Sequence, residues 1–332
     1  MESKLCAMTG ASGHVGYALL KELVKNGERV RIIIRKDTEI FDGIDCEKVI
    51  GDVTDLASLK KAFKGVDVVY HLAGVIDVNV GNDEIIHKVN VEGTKNVVKA
   101  CEKRGVRRLV YASSVDAFKP LDNNELMKEI YSFDPKDLEG TYAKTKAIAT
   151  QYVLDKAKEG KVEMVVVHPG ACIGPYDFKV SNVGEMVRKF ISGSFPVTMD
   201  FGAYNFVDVR DVAKGIYAAA NKAKNGDCFI LTGSVTTVDE MVTMLSDICD
   251  ANPPKLVAKK WMVNVAAPAA EVYYKVAKKT PLFTRYSIRK ITSNCNFSYE
   301  KAEKELGYKP MSVKESLTDM VNWIKENSKV DS

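Results

Sequence analysis

The strongest constraint on this chain is a glycine-spaced turn close to its start. Leu5 to Met8 is a short apolar run, Thr9-Gly10-Ala11-Ser12-Gly13-His14-Val15-Gly16 follows it, and a helical pattern then continues to about residue 26. Glycines at these places permit a tight turn and let backbone N–H groups approach a pyrophosphate. They also let the helix pack close to the strand, while its N-terminus supplies partial positive charge. Such a turn carries meaning only inside a strand–turn–helix–strand unit. That unit is present, because Arg29 to Ile34 is a second apolar, β-branched run.

Further runs of this kind stand at 67–71, 108–112, 162–168 and 228–231, beside the first two at 4–8 and 29–34. Helical patterns lie between them at roughly 15–26, 55–63, 83–104 and 140–159. Strands and helices in alternation predict an α/β fold, a doubly wound parallel sheet joined by short right-handed crossovers. After His168-Pro169-Gly170 the alternation breaks down, with Gly or Pro at 170, 174, 175, 184, 193, 196 and 202. Helices are expected again at 209–221, 238–248, 299–306 and 313–327, with Ser298 and Ser312 as N-caps of the last two. The expected division is a dinucleotide-binding domain of residues 1–172 and 206–232, with a smaller substrate lobe of 173–205 and 233–328.

Composition removes several function classes. A chain of 332 residues with 46% hydrophobic and 28% charged residues is neither disordered nor collagen-like. A net charge of +4, from 48 basic and 44 acidic residues, gives no electrostatic case for nucleic acid. The start lacks the pattern of a signal peptide, and the most apolar later stretch, 261–277, is broken by Asn264, Pro268, Glu271 and Lys275. No membrane partner is expected. The seven cysteines form no CxxC pair, which predicts reduced thiols in a cytoplasmic protein rather than a disulfide framework or zinc site. His14, His71, His87 and His168 have no metal-ligand spacing, and no Gly-x-Ser-x-Gly elbow appears, so neither a metal nor a serine hydrolase is expected.

Three places carry chemistry. The second strand ends Ile34-Arg35-Lys36-Asp37, where a site selective for NAD places an acidic residue on the ribose 2′-hydroxyl. Arg35, supported by Lys36, instead suits the additional phosphate of NADP, because a planar fork of donors matches phosphate oxygens. A solvated charge cluster, or Asp37 turned toward the ribose, is the competing reading. Tyr142 and Lys146 lie four apart on a helix and so share a face. A nearby ammonium favours phenolate and makes the tyrosine a usable proton donor to a carbonyl. Such pairs commonly line solvated faces, so the surroundings decide. They include Tyr111-Ala112-Ser113-Ser114 at the C-terminal end of a buried strand, the side on which ligands bind such a sheet.

In this order the glycine turn, the serines and the Tyr/Lys pair resemble the extended short-chain dehydrogenase/reductase superfamily, with its Rossmann fold, over nearly the whole chain. Further matching segments are Gly51-Asp52-Val53, His71-Leu72-Ala73-Gly74, Asn90-Val91-Glu92-Gly93-Thr94, His168-Pro169-Gly170, Phe206-Val207-Asp208-Val209-Arg210-Asp211-Val212-Ala213 and Lys304-Glu305-Leu306-Gly307-Tyr308-Lys309-Pro310. The resemblance implies that Gly10, Ser12, Gly13, His14, Val15 and Gly16 hold the cofactor. Asp52 and Val53 would flank its adenine, Leu72, Ala73 and Gly74 its path, and His168, Pro169 and Gly170 its nicotinamide. It gives Ser114 the catalytic serine position, Ser113 a place on the cofactor, and Asn90 a part in the proton relay. Val75, Val115, Tyr176, Phe178 and Tyr204 are then expected to face the substrate with Ser114 and Tyr142, although these aromatic residues, like Phe133 and Phe195, suit a core equally.

Within the superfamily the chain is most similar to dihydroflavonol reductases, hydroxysteroid dehydrogenases and bacterial aldehyde or ketone reductases. Tyr204 stands where nucleotide-sugar enzymes carry a diphosphate-binding arginine, and Val115-Asp116-Ala117-Phe118 lacks their Tyr-Gly ending. Arg188, Arg285 and Arg289 keep a sugar substrate open. The resemblance implies an NADP-dependent oxidoreductase interconverting a ketone or aldehyde and an alcohol, with a homodimer built on residues 83–104 and 140–159. The alternatives are an epimerase or dehydratase holding NAD tightly, and a non-catalytic NADP sensor.

Overall fold

A strand buried on both faces must be apolar at consecutive rather than alternate positions. In β1 (Leu5–Thr9), Cys6 and Met8 enter one apolar cluster while Ala7 enters another. β2 (Arg29–Ile34) repeats the division, with Ile32 and Ile34 on one face and Ile33 on the other. The computed structural model describes residues 4–76, 82–122, 125–195, 197–262 and 285–327. The remaining strands are β3 (Glu47–Ile50), β4 (Val68–His71), β5 (Arg108–Ala112), β6 (Glu163–Pro169), β7 (Ala171–Ile173) and β8 (Thr198–Met199). β9 (Ala203–Asp208), β10 (Cys228–Leu231), β11 (Ser234–Thr237) and β12 (Val257–Ala258) complete them.

Seven strands form one parallel sheet in the order β10-β6-β5-β4-β1-β2-β3. The chain leaves β1 toward β2 and β3, then returns to β4 on the other side of β1. That reversal opens a crevice at the C-terminal ends of β1 and β4. Helices α1 (His14–Lys25), α2 (Leu56–Ala62), α3 (Asp83–His87), α4 (Gly93–Arg104), α5 (Thr141–Lys158), α6 (Asn182–Ile191) and α7 (Val209–Lys222) follow the chain. They are succeeded by α8 (Val238–Cys249), α9 (Arg285–Thr292), α10 (Glu300–Leu306) and α11 (Val313–Asn327). α1, α7 and α10 pack on one face of the sheet; α2, α4 and α5 pack on the other. A third apolar cluster joins α6, α8 and α11 to the three-stranded sheet β11-β9-β7.

All six expected strands are present, and the edge strand β3 is additional. Glu47 and Lys48 are exposed on it, so the run lacks the apolar continuity that marks its neighbours. The helix expected over 83–104 is divided by a π-helical turn at Lys88–Glu92 centred on Asn90. Ser312 closes a reciprocal cap with Glu315 at the start of α11, as expected. Ser298 instead sits one residue before the N-cap of α10, which is Tyr299, and its hydroxyl accepts from the N–H of Glu300. No described helix is long and apolar enough to cross a membrane. Most of the 261–277 stretch lies outside the described residues.

Candidate active site

The crevice is lined first by the glycine turn. Gly10 has φ +78°, and a Cβ there would meet the backbone of Leu72 and Ala73 at 2.6 Å. A Cβ on Gly16 would stand 2.0 Å from the carbonyl oxygen of Gly10, so α1 is seated as close to β1 as backbone allows. Gly13 is the N-cap of α1 and supplies no side-chain acceptor, and no acidic residue occupies the first turn. The first N–H groups of a helix have no intrahelical acceptor. Here they end in a concave turn at the sheet's switch point, which fits the diphosphate of a dinucleotide.

Behind the turn runs a buried polar chain whose directions can be worked out. Thr94 Oγ1 donates to the Asn90 carbonyl at 2.6 Å, so it can only accept from His71 Nε2, at 2.9 Å. His71 Nδ1 therefore accepts from Thr9 Oγ1 at 2.8 Å, and Thr9 Oγ1 accepts from the Ala73 N–H at 3.3 Å. This polarity holds only while the imidazole is neutral. Complete burial, assisted by the Lys146 charge, pushes its pKa down to about 3. Asn90 uses its amide on the backbone N–H and carbonyl of Val75 and on Thr145 Oγ1, clamping the segment after β4 to α5.

α5 brings the candidate catalytic pair to the end of β5. Tyr142 and Lys146 are both buried. Lys146 Nζ donates to the Ala112 carbonyl at 2.7 Å and lies 5.1 Å from the centre of the Tyr111 ring. Burial lowers its pKa to about 8 against the opposing influence of Asp116, so the ammonium persists at neutral pH. A Cβ on Gly74 would approach Lys146 Nζ at 3.6 Å and Asn90 Oδ1 at 3.3 Å, which places the segment after β4 directly against Lys146. Ser114 Oγ accepts from the Asp116 N–H at 3.1 Å and retains its own proton for donation. Ser113 is engaged otherwise: Thr150 Oγ1 donates to the Lys146 carbonyl, so the 2.6 Å contact has Ser113 donating to Thr150.

His168 closes the far side of the site. Its Nδ1 donates to the Ser114 carbonyl at 3.2 Å, and the ring packs between Phe118 and Phe133. Burial lowers its pKa to about 3. A Cβ on Gly170 would meet the Asn205 carbonyl at 2.8 Å. Pro169 ends β6 beside Leu231. Phe133 and Phe195 belong to the apolar clusters, and Val115 is half-buried beside Ser114.

Arg35 and Lys36 are exposed just beyond β2. Asp37 is drawn to Lys48 at 3.2 Å, and that contact holds its carboxyl below the usual range. Asp52 binds the N–H and hydroxyl of Thr54, while the Val53 carbonyl accepts from Asn96 of α4. Tyr176 and Phe178 stand against Tyr17 of α1, at 5.2 and 4.9 Å between ring centres, and against Trp323 of α11. Tyr204 lies on β9 beside Phe206. Arg289 is engaged by Glu139 at 3.0 Å.

Two contacts had no signal in the sequence. Lys290 of α9 forms an ion pair with Asp116, two residues beyond Ser114. Lys179 reaches Ser12 Oγ at 2.9 Å from a segment distant in sequence. Both depend on how the irregular second half folds back, which local pattern does not encode. Among the described residues no group of His, Cys, Asp and Glu is placed to hold a metal.

Comparison with known proteins adds to this geometry. The model of the NAD dependent epimerase/dehydratase family matches residues 6–231. "Sterol demethylase protein B" of Methylococcus capsulatus is 30% identical over 329 residues, 97% of this chain and 99% of that protein. A "Putative dihydroflavonol 4-reductase" of Synechocystis is 28% identical over 97% of this chain and 95% of its own length. Among solved structures, gox2253 superposes with a TM-score of 0.86 at 29% identity, covering 98% of this chain and 99% of that one. The dTDP-glucose 4,6-dehydratase DesIV of Streptomyces venezuelae shares the fold, with a TM-score of 0.81 at 19% identity and 98% of each chain covered. A family model spanning the sheet from β1 to β10, and relatives matched end to end, establish that this chain belongs to the NAD dependent epimerase/dehydratase family, among the extended short-chain dehydrogenases/reductases, and is an NAD(P)-dependent oxidoreductase.

Proposed function

We propose that this protein is an NADP-dependent reductase or dehydrogenase that interconverts a ketone or aldehyde and an alcohol supplied from solution. The observation that carries the reading is the burial of Tyr142 and Lys146 on one face of α5, with the Lys146 ammonium held at the carbonyl of Ala112, two residues before Ser114. When bound, the nicotinamide supplies or accepts hydride. Ser114 donates its free proton to the substrate oxygen and fixes its position. Tyr142 gives that oxygen its proton in reduction and takes it back in oxidation. Lys146 keeps one donor on Ala112 and offers the others to the cofactor's ribose hydroxyls, while its charge favours the phenolate. Asn90 holds Val75 and Thr145 in register with the pair. The names of relatives support a carbonyl or secondary alcohol: a 3-beta-hydroxysteroid dehydrogenase of Mycolicibacterium neoaurum is 26% identical, and a 2-alkyl-3-oxoalkanoate reductase of Stenotrophomonas maltophilia is 28% identical.

NADP is the preferred cofactor in this reading. Asp37 is turned to Lys48, which leaves Arg35, with Lys36 beside it in support, at the end of β2 for the ribose substituent. Side-by-side calorimetric titration of NADPH and NADH into nucleotide-free protein tests this. Tighter, reversible binding of NADPH is expected, with the preference falling about tenfold or more in Arg35→Ala, since a hydrogen bond to a charged group contributes about 1.5–3 kcal/mol. Tightly retained NAD, with no preference for NADPH, would overturn the assignment and favour a reaction in which cofactor is reduced and reoxidised in place.

A further inference from the structure

The segment after β7 does not simply connect two elements. Tyr176 and Val180 both have positive φ, 76° and 47°, in residues whose side chains disfavour that region. Backbone held in this way persists only where its surroundings enforce it, and such places concentrate at ligand clamps. The enforcement is visible. Buried Asp177 accepts from the N–H and hydroxyl of Ser181, His14 Nε2 donates to the Pro175 carbonyl at 2.8 Å, and Phe178 is wedged between Tyr17 and Trp323. The product of this construction is one charged group laid over the glycine turn: Lys179 Nζ, 2.9 Å from Ser12 Oγ.

Lys179 also senses Arg35. Partial burial and then the Arg35 guanidinium hold its ammonium below the ordinary lysine range. Two cations therefore stand close enough to repel beside the glycine turn, one of them on Ser12, and no ion pair among the described residues involves either of them. Like charges brought together without a counter-ion destabilise a fold unless an anion is received between them.

We propose that Lys179 is the second cation of a phosphate clamp, reading the ribose 2′-phosphate of the cofactor together with Arg35 and Ser12. The proposal rests on the preference for NADP argued above. It adds that this preference depends on a residue carried by the second half of the chain, beyond the family's βαβ core. Lys179 then reaches the phosphate from the segment after β7, through its place on Ser12, and the Tyr176–Val180 segment sets its reach.

Binding rather than turnover tests it, with NADPH, NADH, adenosine 2′,5′-bisphosphate and adenosine 5′-monophosphate as probes. In Lys179→Gln, affinity for NADPH and for the bisphosphate is expected to fall about 10- to 100-fold, as loss of a charge-assisted contact implies. Affinity for NADH and the monophosphate should hold, and Lys179→Arg should restore most of the loss. Equal weakening of all four ligands would overturn the proposal, because Lys179 would then hold a part common to both cofactors. Unchanged affinity for all four would overturn it as well. Arg35→Ala measured in parallel separates the two readings. If it alone erases the preference, Lys179 has no such role; if Lys179→Gln alone erases it, the clamp stands on Lys179 and the role of Arg35 falls.

Discussion

Replacing Tyr142 with phenylalanine is expected to lower turnover at least about a hundredfold while leaving nucleotide affinity and thermal stability close to those of the parent. General acid catalysis contributes roughly that factor or more. The substitution removes one hydroxyl and keeps the ring, which is buried within the first turns of α5, so the helix and the Lys146 ammonium behind it stay in place. A hundredfold loss corresponds to about 2.7 kcal/mol in the barrier. Steady-state kinetics beside a nucleotide titration check this. A loss of only a few fold would remove Tyr142 as the proton donor. A loss shared equally between turnover and cofactor binding would place its role in positioning the cofactor.

The largest effect on stability is expected in mild acid, from two histidines in the walls of the crevice. His71 and His168 have native pKa values pushed down to about 3, mainly by burial, against an ordinary value of 6.5. The native state therefore refuses protons that the unfolded chain accepts. The stabilisation is complete above pH 6.5 and is lost progressively as the pH falls toward 3. At pH 4.5 each histidine penalises the native state by about 3 kcal/mol, from two pH units at about 1.4 kcal/mol each. Two such losses rival the total stability of an ordinary domain. Unfolding midpoints at pH 7 and pH 4.5 check the sign. The wild type should lose about 3 kcal/mol more than His168→Asn, which keeps His71 and whose amide can still donate to the Ser114 carbonyl but does not titrate. An identical loss in both proteins would show that His168 is not the source. Carboxylates that titrate in this range act alike in both and cancel in the comparison.

What sequence reveals of this chain follows from where each feature is encoded. Consecutive apolar residues such as Ile32-Ile33-Ile34 are readable because a strand buried on both faces requires them in one stretch. The glycine turn is readable for a similar reason, since Gly10 and Gly16 each face backbone that admits no side chain. β3 escapes because an edge strand need not be apolar. The π-turn at Asn90 escapes because one extra residue in a helical turn leaves no compositional trace. Tyr142 and Lys146 are both buried on one face of α5 as their spacing of four allows, yet the seating of Lys146 against the Ala112 carbonyl and Gly74 is a contact that no local pattern links to α5. Ser113 and Ser114 are adjacent and chemically alike, and only the fold divides them, giving one to Thr150 and leaving the other's proton free. Tyr176 and Phe178 pack against Tyr17 and Trp323, contacts between segments far apart in the chain that no local pattern encodes.

The central claim, transfer of hydride between a freely exchanging cofactor and an external carbonyl, is tested most directly by isotope transfer. NADPH carrying deuterium at its transferable position is incubated with the protein and a panel of 3-oxosteroid, dihydroflavonol-type and 3-oxoalkanoate compounds. The account predicts one deuterium on the new carbinol carbon for each NADP released into solution. Retention of bound NAD, with interconversion of a nucleotide-diphosphate sugar and no net oxidation of cofactor, would contradict it.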